Sequence, residues 1–299
     1  MGIKTAGTLK PLQYIKESSF GTLPSGALSY GGKLSTQSQT NTFDIETFCA
    51  DGSRTTELVN FGAQEVGFDA ELGMYLDDGD YSWTWLLDMA LGSSSSRADV
   101  PSFSALFEAA PDQHYLYRGC KVDTLTLSAS GVGKMVMASV KAKAMDGTSG
   151  ASKSAVCANA DAPVPALNPV THNAYPVITL DGSDITVPAM SWTVDIANGL
   201  VLKEGIVDGK ALKGGSAIYP DGMLTITMEY TIPSTSLTWD RLKMLADEQP
   251  RFTVKHKVGG YVLTFSDCWL QPDDMPSRSQ TGYDETVTIN ASDVAWSRA

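Results

Sequence analysis

The chain has 299 residues, with 34 Asp plus Glu against 22 Lys plus Arg, a net charge of −12. Its 42% hydrophobic and 19% charged residues exclude a disordered or collagen-like chain, and the length suggests about two domains, each able to bury a core. The acid excess argues against a surface that holds nucleic acid, which needs a basic stripe to displace counterions, but not against a protein that handles DNA without holding it.

In chain order, Met1 to Gly7 lacks the apolar core of a signal peptide, and Ala6 stands where a myristoylation site needs Ser or Thr. A short segment at Leu28-Ser29-Tyr30 precedes a long polar stretch, Leu34 to Glu57. Val66 to Leu72 then alternates apolar and polar residues as a half-buried strand does. Asp77-Asp78-Gly79-Asp80 is acidic enough to suggest a calcium loop. However, counting from Asp78, Trp83 and Met89 occupy the places that need Gly and Glu, so a solvated turn ahead of a helix is expected. The helix is Ser82 to Leu91, apolar nearly all round, so it must be covered by its own sheet and by a second body, either the other half of the chain or another subunit. Its richest run, Trp83 to Leu91, is too short to span a membrane and contains Asp88. A soluble protein made in a cytoplasm is expected.

Cys120 to Ser128, Met135 to Ala144, Asp184 to Ile196 and Arg251 to Trp269 read as strands, with turn pairs such as Asp181-Gly182, Asn198-Gly199 and Asp208-Gly209 between runs. Ser149 to Pro169, rich in Ala, Ser, Asn and Pro, reads as a linker. Asn198 to Tyr219 is a second long segment placed like Leu34 to Glu57, and extended hairpin arms that dock on neighbours would explain both. Leu237 to Asp247 is the second helix, with Trp239, Leu242, Leu245 and Ala246 on one face.

The halves match in order. Leu28-Ser29-Tyr30 pairs with Met190-Ser191-Trp192 at an offset of 162, and Glu71 with Glu229 at 158. Ser82-Trp83-Thr84-Trp85 pairs with Ser236-Leu237-Thr238-Trp239 at 154, and Tyr117-Arg118-Gly119-Cys120 with Phe265-Ser266-Asp267-Cys268 at 148. Residues 1–150 carry 17 acids and 11 bases, and residues 151–299 carry the same numbers. The expectation is a mainly β chain of two tandem, duplicated β-sandwich domains, each with one flanking α-helix: 1–150, a linker at 151–170, and 171–299.

Catalytic chemistry is hard to find. The three histidines, His114, His172 and His256, lie in no nucleophile, phosphate-loop or dinucleotide pattern, and each reads as a surface or hydrogen-bonded residue. Cys49, Cys120, Cys157 and Cys268 are too far apart for a zinc motif and read as free thiols. Asp273-Asp274 reads as a solvated loop. No enzyme, metal or cofactor is expected. Asp69 and Glu71, and Thr225, Thr227 and Glu229, each fall on one strand face opposite the core. That is either an ordinary wet sheet face or one acidic surface repeated in each half.

Tyr14-Ile15-Lys16-Glu17-Ser18-Ser19-Phe20-Gly21-Thr22-Leu23-Pro24 resembles the opening of the tail tube (major tail) proteins of long-tailed bacteriophages. The order of polar segment, acidic strand and helix, with a weaker second copy, is similar over nearly the whole chain. The resemblance implies a structural virion protein, made in the bacterial host cytoplasm, whose inner sheets join around a ring. Rings stack into the tube that conducts genomic DNA. With two folds per chain, a homotrimer of pseudo-sixfold symmetry is expected, a hexamer being the alternative. The tape measure, terminator and distal tail proteins are the expected partners, together with transient, non-specific passage of double-stranded DNA and no membrane. An acidic, hydroxyl-rich wall suits DNA in transit. Asp69, Glu71, Thr225, Thr227 and Glu229 are therefore the candidate lumen residues. Thr36, Thr40, Thr42, Asp44, Leu202, Lys203, Ile206 and Lys210 are the candidate inter-subunit or inter-ring residues in the arms. Competing readings are a tail terminator or decoration protein, a carbohydrate-binding β-sandwich exposing Trp192, Trp269 and Trp296, and an enzyme in which His114 or His256 meets a carboxylate.

Overall fold

Strict alternation of buried and open positions sets the strands. Trp192, Val194 and Ile196 are buried in one strand, Ile226, Met228, Tyr230 and Ile232 in another, and Ala138, Val140, Ala142 and Ala144 in a third, with polar or small residues between them. The structure, a computed structural model, describes residues 11–48, 58–76, 82–92, 99–166, 168–233, 250–270 and 284–299. The second expected helix, the Asp77–Asp80 and Asp273-Asp274 clusters and Cys49 lie outside the described residues.

The first half contains β1 (Leu12–Lys16), β2 (Ser29–Phe48), β3 (Leu58–Gly73), α1 (Trp85–Leu91), β4 (Phe103–Ala110), β5 (Gln113–Ala129), β6 (Met137–Ala144), β7 (Asp146–Gly150) and the short α2 (Lys153–Val156). Two long strands belong to two layers each. β2 pairs with β1 up to Gly32 and with β3 from Lys33 onward. β5 pairs with β4 and β7 through its first residues, then with β6. Since β1 pairs with β4 and β3 with β6, the layers close on each other. Phe68, Phe107 and Tyr117 fill the space between, with Phe68 and Phe107 ring centroids 4.7 Å apart in an edge-to-face contact.

The second half contains β8 (Val177–Leu180), β9 (Ser183–Thr186), β10 (Ser191–Ala197), β11 (Leu200–Val207), β12 (Lys210–Pro220), β13 (Thr225–Pro233), β14 (Phe252–Val258), β15 (Tyr261–Cys268), β16 (Asp284–Ala291) and β17 (Asp293–Arg298). One layer is β10–β13–β16, and the other has the order β17–β15–β14–β8–β9. The two polar segments are the expected hairpins. β2 and β3 stay paired from Lys33 and Gly73 out to Phe48 and Leu58, and β11 and β12 form the second hairpin around the Asp208-Gly209 turn. Segment 151–170 runs along the first half: Leu28 N–H donates to Ala160 O, and Asn159 Nδ2 to Pro24 O.

One continuous cluster of buried side chains runs through both halves. α1 is the wedge between them. Trp85 donates its indole N–H to Gly31 O at 2.9 Å and stacks on Tyr14 at 4.0 Å. On the other side, Trp83 meets Tyr261 edge-on at 5.6 Å, and Asn198 Nδ2 donates to Ala90 O at 2.8 Å. The second cover that this apolar helix demands is thus the other half of the same chain. Gly259 closes the contact at φ +53, where a Cβ would lie 2.6 Å from Val170 and 3.0 Å from the Trp83 indole nitrogen.

Candidate functional site: a continuous polar sheet face

Pairing register shows which side chains share a surface. The two halves join where β5 pairs antiparallel with β10, from Trp192 opposite Ala129 to Ala197 opposite Thr124. The sheet β2–β3–β6–β5–β10–β13–β16 therefore crosses from one half to the other without a break. Side chains at successive partners point the same way. One row across these seven strands reads Thr36, Glu71, Ser139, Thr126, Asp195, Thr227, Asn290. The row on one side reads Ser38, Asp69, Lys141, Thr124, Ala197, Thr225, and the row on the other includes Met137, Ser128, Thr193, Glu229 and Thr288.

All five candidate lumen residues lie on this one face. Glu229 and Thr225 are exposed, and Asp69, Glu71 and Thr227 partly so, while the alternate residues of their strands are buried. Hydroxyls donate to the carboxylates: Ser35 Oγ to Glu71 at 3.1 Å, Ser38 Oγ to Asp69 at 3.4 Å and Thr126 Oγ1 to Asp195 at 2.5 Å. In these rows four carboxylates (Asp69, Glu71, Asp195, Glu229) stand against one ammonium, Lys141. Farther along, Lys143 is held by Asp123 at 3.3 Å and by Leu200 O, and Lys121 is held by Asp99. The face is a hydroxyl carpet with an acidic bias.

Sequence reading missed Asp195, Asn290, Ser139, Thr126, Thr193 and Lys141. The alternation of Ser191, Thr193, Asp195 and Ala197 was the available signal for β10; only the pairing places it between β5 and β13.

The arm residues do not form one group. Thr36 hydrogen-bonds to Glu71 at 3.5 Å, Thr40 is half-buried and Thr42 exposed. The side chain of Asp44 lies outside the described residues. Leu202 packs on a small cluster of Val100, Leu200 and Ile218, so the β11–β12 hairpin rests on the first half of its own chain; Leu212 also bridges Gln64 of β3. Lys203 and Lys210 are exposed, and Ile206 is 80% exposed near the hairpin tip.

Within the Tyr14–Pro24 segment, Glu17 has a structural role. Glu17, only 7% exposed, accepts Gly21 N–H at 2.8 Å on one oxygen, and Ser104 Oγ at 2.6 Å and Gly119 N–H at 2.8 Å on the other. It ties the opening turn to β4 and to the kink in β5. Burial and the neighbouring Glu17 push the Cys120 thiol well up, and burial pushes Cys268 up to about 12, so neither is a ready nucleophile.

His114 pairs with Glu108 at 3.2 Å, and His172 Nε2 meets Ala189 O at 2.9 Å. His256 departs from the surface or hydrogen-bonded expectation: it is fully buried against Trp192, Tyr230 and His172, and neither ring nitrogen has a partner among the described residues. Burial, reinforced by His172, pushes it down to about 3, so it is neutral. Trp192, 2% exposed, belongs to this core and not to a sugar-binding platform. Among the described residues no group of His, Cys, Asp and Glu is arranged to hold a metal ion, and no helix is long and apolar enough to cross a membrane.

Long shared sheets and an extended polar face define a mainly β chain. The family model for phage tail tube proteins matches residues 7–292, nearly the whole chain. The chain belongs to that family and is a structural component of a phage tail. No curated protein matches it.

Proposed function

We propose that this chain self-assembles into rings that stack into the tail tube, with the seven-strand polar face turned toward the channel through which the genome passes. The observation that carries this reading is the unbroken sheet across the β5–β10 junction, which presents one acidic, hydroxylated surface from both halves. A wall of this kind repels and slips past a polyanion instead of releasing its counterions and holding it.

The chain is read as two diverged copies of one tube fold, 1–150 and 171–299, joined by 151–170, so that three chains supply six lobes. Matching backbone detail supports the duplication. Cys120 lies opposite Phe103 and Cys268 opposite Phe252. A register shift follows in both hairpins, and then Tyr117 lies opposite Ala105 and Phe265 opposite Val254. The residues before the two cysteines, Gly119 and Asp267, both have positive φ, +62 and +50. The strand pairings β4–β5, β3–β6, β2–β3 and β5–β7 have counterparts in β14–β15, β13–β16, β10–β13 and β15–β17. The arms, through Thr36, Thr40, Thr42, Asp44, Leu202, Lys203, Ile206 and Lys210, contribute contacts between subunits or rings, and the tape measure, terminator and distal tail proteins meet the tube at its lumen and ends.

Size-exclusion chromatography with light scattering tests the assembly. A particle of three chains is expected for one ring, a hexamer of this chain being the alternative. A lasting monomer at every salt concentration would refute the reading.

A further inference from the structure

We infer that the β11–β12 hairpin is a strap that sets the angle between the two halves of the chain, with Leu212 as its anchor and Arg118 as its clasp. The inference rests on the tube reading above and adds to it the residues that fix the geometry between two neighbouring lobes.

The hairpin leaves the second half between β10 and β13 and is pinned to the first half at both of its ends. At its base, Leu200 N–H donates to Asp123 Oδ1 at 2.8 Å, and Leu200 and Ile218 are buried with Val100. Toward its outer end, Leu212 takes up the edge of β3 opposite Gln64, just past the Val66–Ala144 pair where β6 leaves that edge. Leu212 is 1% exposed and belongs to the continuous core cluster, against which Val207 also packs. Gly214 lets the strap lie this close, since a Cβ there would stand 3.0 Å from Ala144 O.

At the tip, both turn residues have positive φ, Asp208 at +50 and Gly209 at +79. The turn carries the Asp208 carboxylate to 3.4 Å from Arg118 Nη2. Arg118 already pairs with Asp146, a carboxylate only 5% exposed. Asp208 is 77% exposed, so this second pair is a light clasp, and the burial of Leu212 supplies most of the hold.

Ring closure gives such a strap its purpose. α1 and the β5–β10 ladder join the halves along one seam. Adjacent strands are rotated by anything from about 10° to 35°, so a ladder by itself leaves the twist between the halves open. A head-to-tail assembly closes only when the rotation at each step is right, and otherwise grows an open helix. In a three-chain ring, half of the lobe-to-lobe steps lie inside the chains. The strap crosses the seam and attaches at Gln64 on β3, two strands beyond β5, where it has leverage on that twist. Its exposed side, with Lys203, Ile206 and Lys210, remains open to other chains.

Spin labels on the unassembled full chain test this. They are placed at Asp112→Cys in the first half and Lys255→Cys in the second, both exposed positions, in a Cys49→Ser background whose other cysteines are buried. Double electron–electron resonance should give the parent one narrow distance distribution. Leu212→Ala should broaden it about twofold as the freedom of twist returns. Asp208→Asn, which leaves the core untouched, should broaden it less, and it decides the question if Leu212→Ala fails to fold. The Leu212→Ala chain keeps the strap's exposed side and should assemble into rings of mixed size. Distributions as narrow as the parent's in both variants would overturn the strap and leave the tube reading standing. Uniform three-chain rings from a Leu212→Ala chain with broadened distances would do the same. A parent chain that never assembles would remove the tube reading and, with it, the strap's part in ring closure.

Discussion

Glu17 accepts the backbone N–H of Gly119 at 2.8 Å, across 102 residues of sequence, inside the core of the first half. The same carboxylate holds Gly21 N–H and Ser104 Oγ. Truncating Glu17 to Ala leaves three donors unpaired in a buried site and is expected to cost about 3–5 kcal/mol. Glu17→Gln retains one acceptor oxygen but presents an NH2 group to a donor, and should lose a smaller part of that. Urea unfolding midpoints at constant slope measure both.

Gly119 and Asp267 share a positive-φ position but not its demands. A Cβ at Gly119 would lie 2.6 Å from Met145 Cβ and 3.0 Å from the Phe20 ring. Gly119→Ala should therefore cost about 2–4 kcal/mol. Asp267→Gly removes the left-handed penalty and should be neutral or stabilising by up to about 1 kcal/mol. Thermal midpoints shifting in opposite directions, or one falling while the other holds, is the expected pattern.

His256 makes stability depend on pH. Its pKa is pushed down to about 3 in the folded chain from the usual 6.5, so the unfolded chain takes up a proton that the native chain refuses. Stability is full above about pH 6.5 and falls as pH drops toward about 3. Phe107 is the first half's counterpart, since Phe107 faces Tyr115 as His256 faces Leu263, two residues beyond Ala105 and Val254 respectively. His256→Phe should flatten the stability profile between about pH 6.5 and 4 by several kcal/mol relative to the parent. Parallel profiles would show that His256 does not set it.

Reversing charge on the polar face separates folding from transit. Glu71→Lys with Glu229→Lys alters solvent-facing positions and should change stability by about 1 kcal/mol or less. Tubes built from this variant should retain duplex DNA at low ionic strength and release it as salt rises, whereas parent tubes retain little. Nucleic-acid retention across a salt series is the measurement.

Shortening the β2–β3 hairpin beyond the Phe43–Gln64 pair, with a turn joining the two strands, keeps the Leu212–Gln64 bridge and, among the described residues, removes only strand pairs formed within the hairpin itself. The chain should stay folded by circular dichroism and fail to polymerise. Normal tubes from the shortened chain would show that the arm is dispensable.

Much of this fold was legible because its strands are half-buried. The period-two pattern marks β6, β10 and β13, and the all-round apolar helix announced a second cover, which Tyr261 and Asn198 supply. The Cys120 and Cys268 match fell on the same register in both hairpins. The Tyr30 and Trp192 match did not: pairing aligns Trp192 with Leu34, four residues along. An even shift keeps every side chain on its face, so alternation alone cannot detect it. Glu17 looked like any charged residue beside Lys16, because two of its three partners, Ser104 and Gly119, are 87 and 102 residues away. Asp195 escaped notice for the same reason, its place on the acidic face being fixed by β5 and β13 and not by its neighbours in sequence.

Cryo-electron microscopy of the assembled full-length chain tests the central claim most directly. The prediction is a ring of three chains and six lobes whose channel is lined by the face carrying Glu71, Asp195 and Glu229. A ring with that face outside or buried between subunits, or particles with no channel at all, would contradict it.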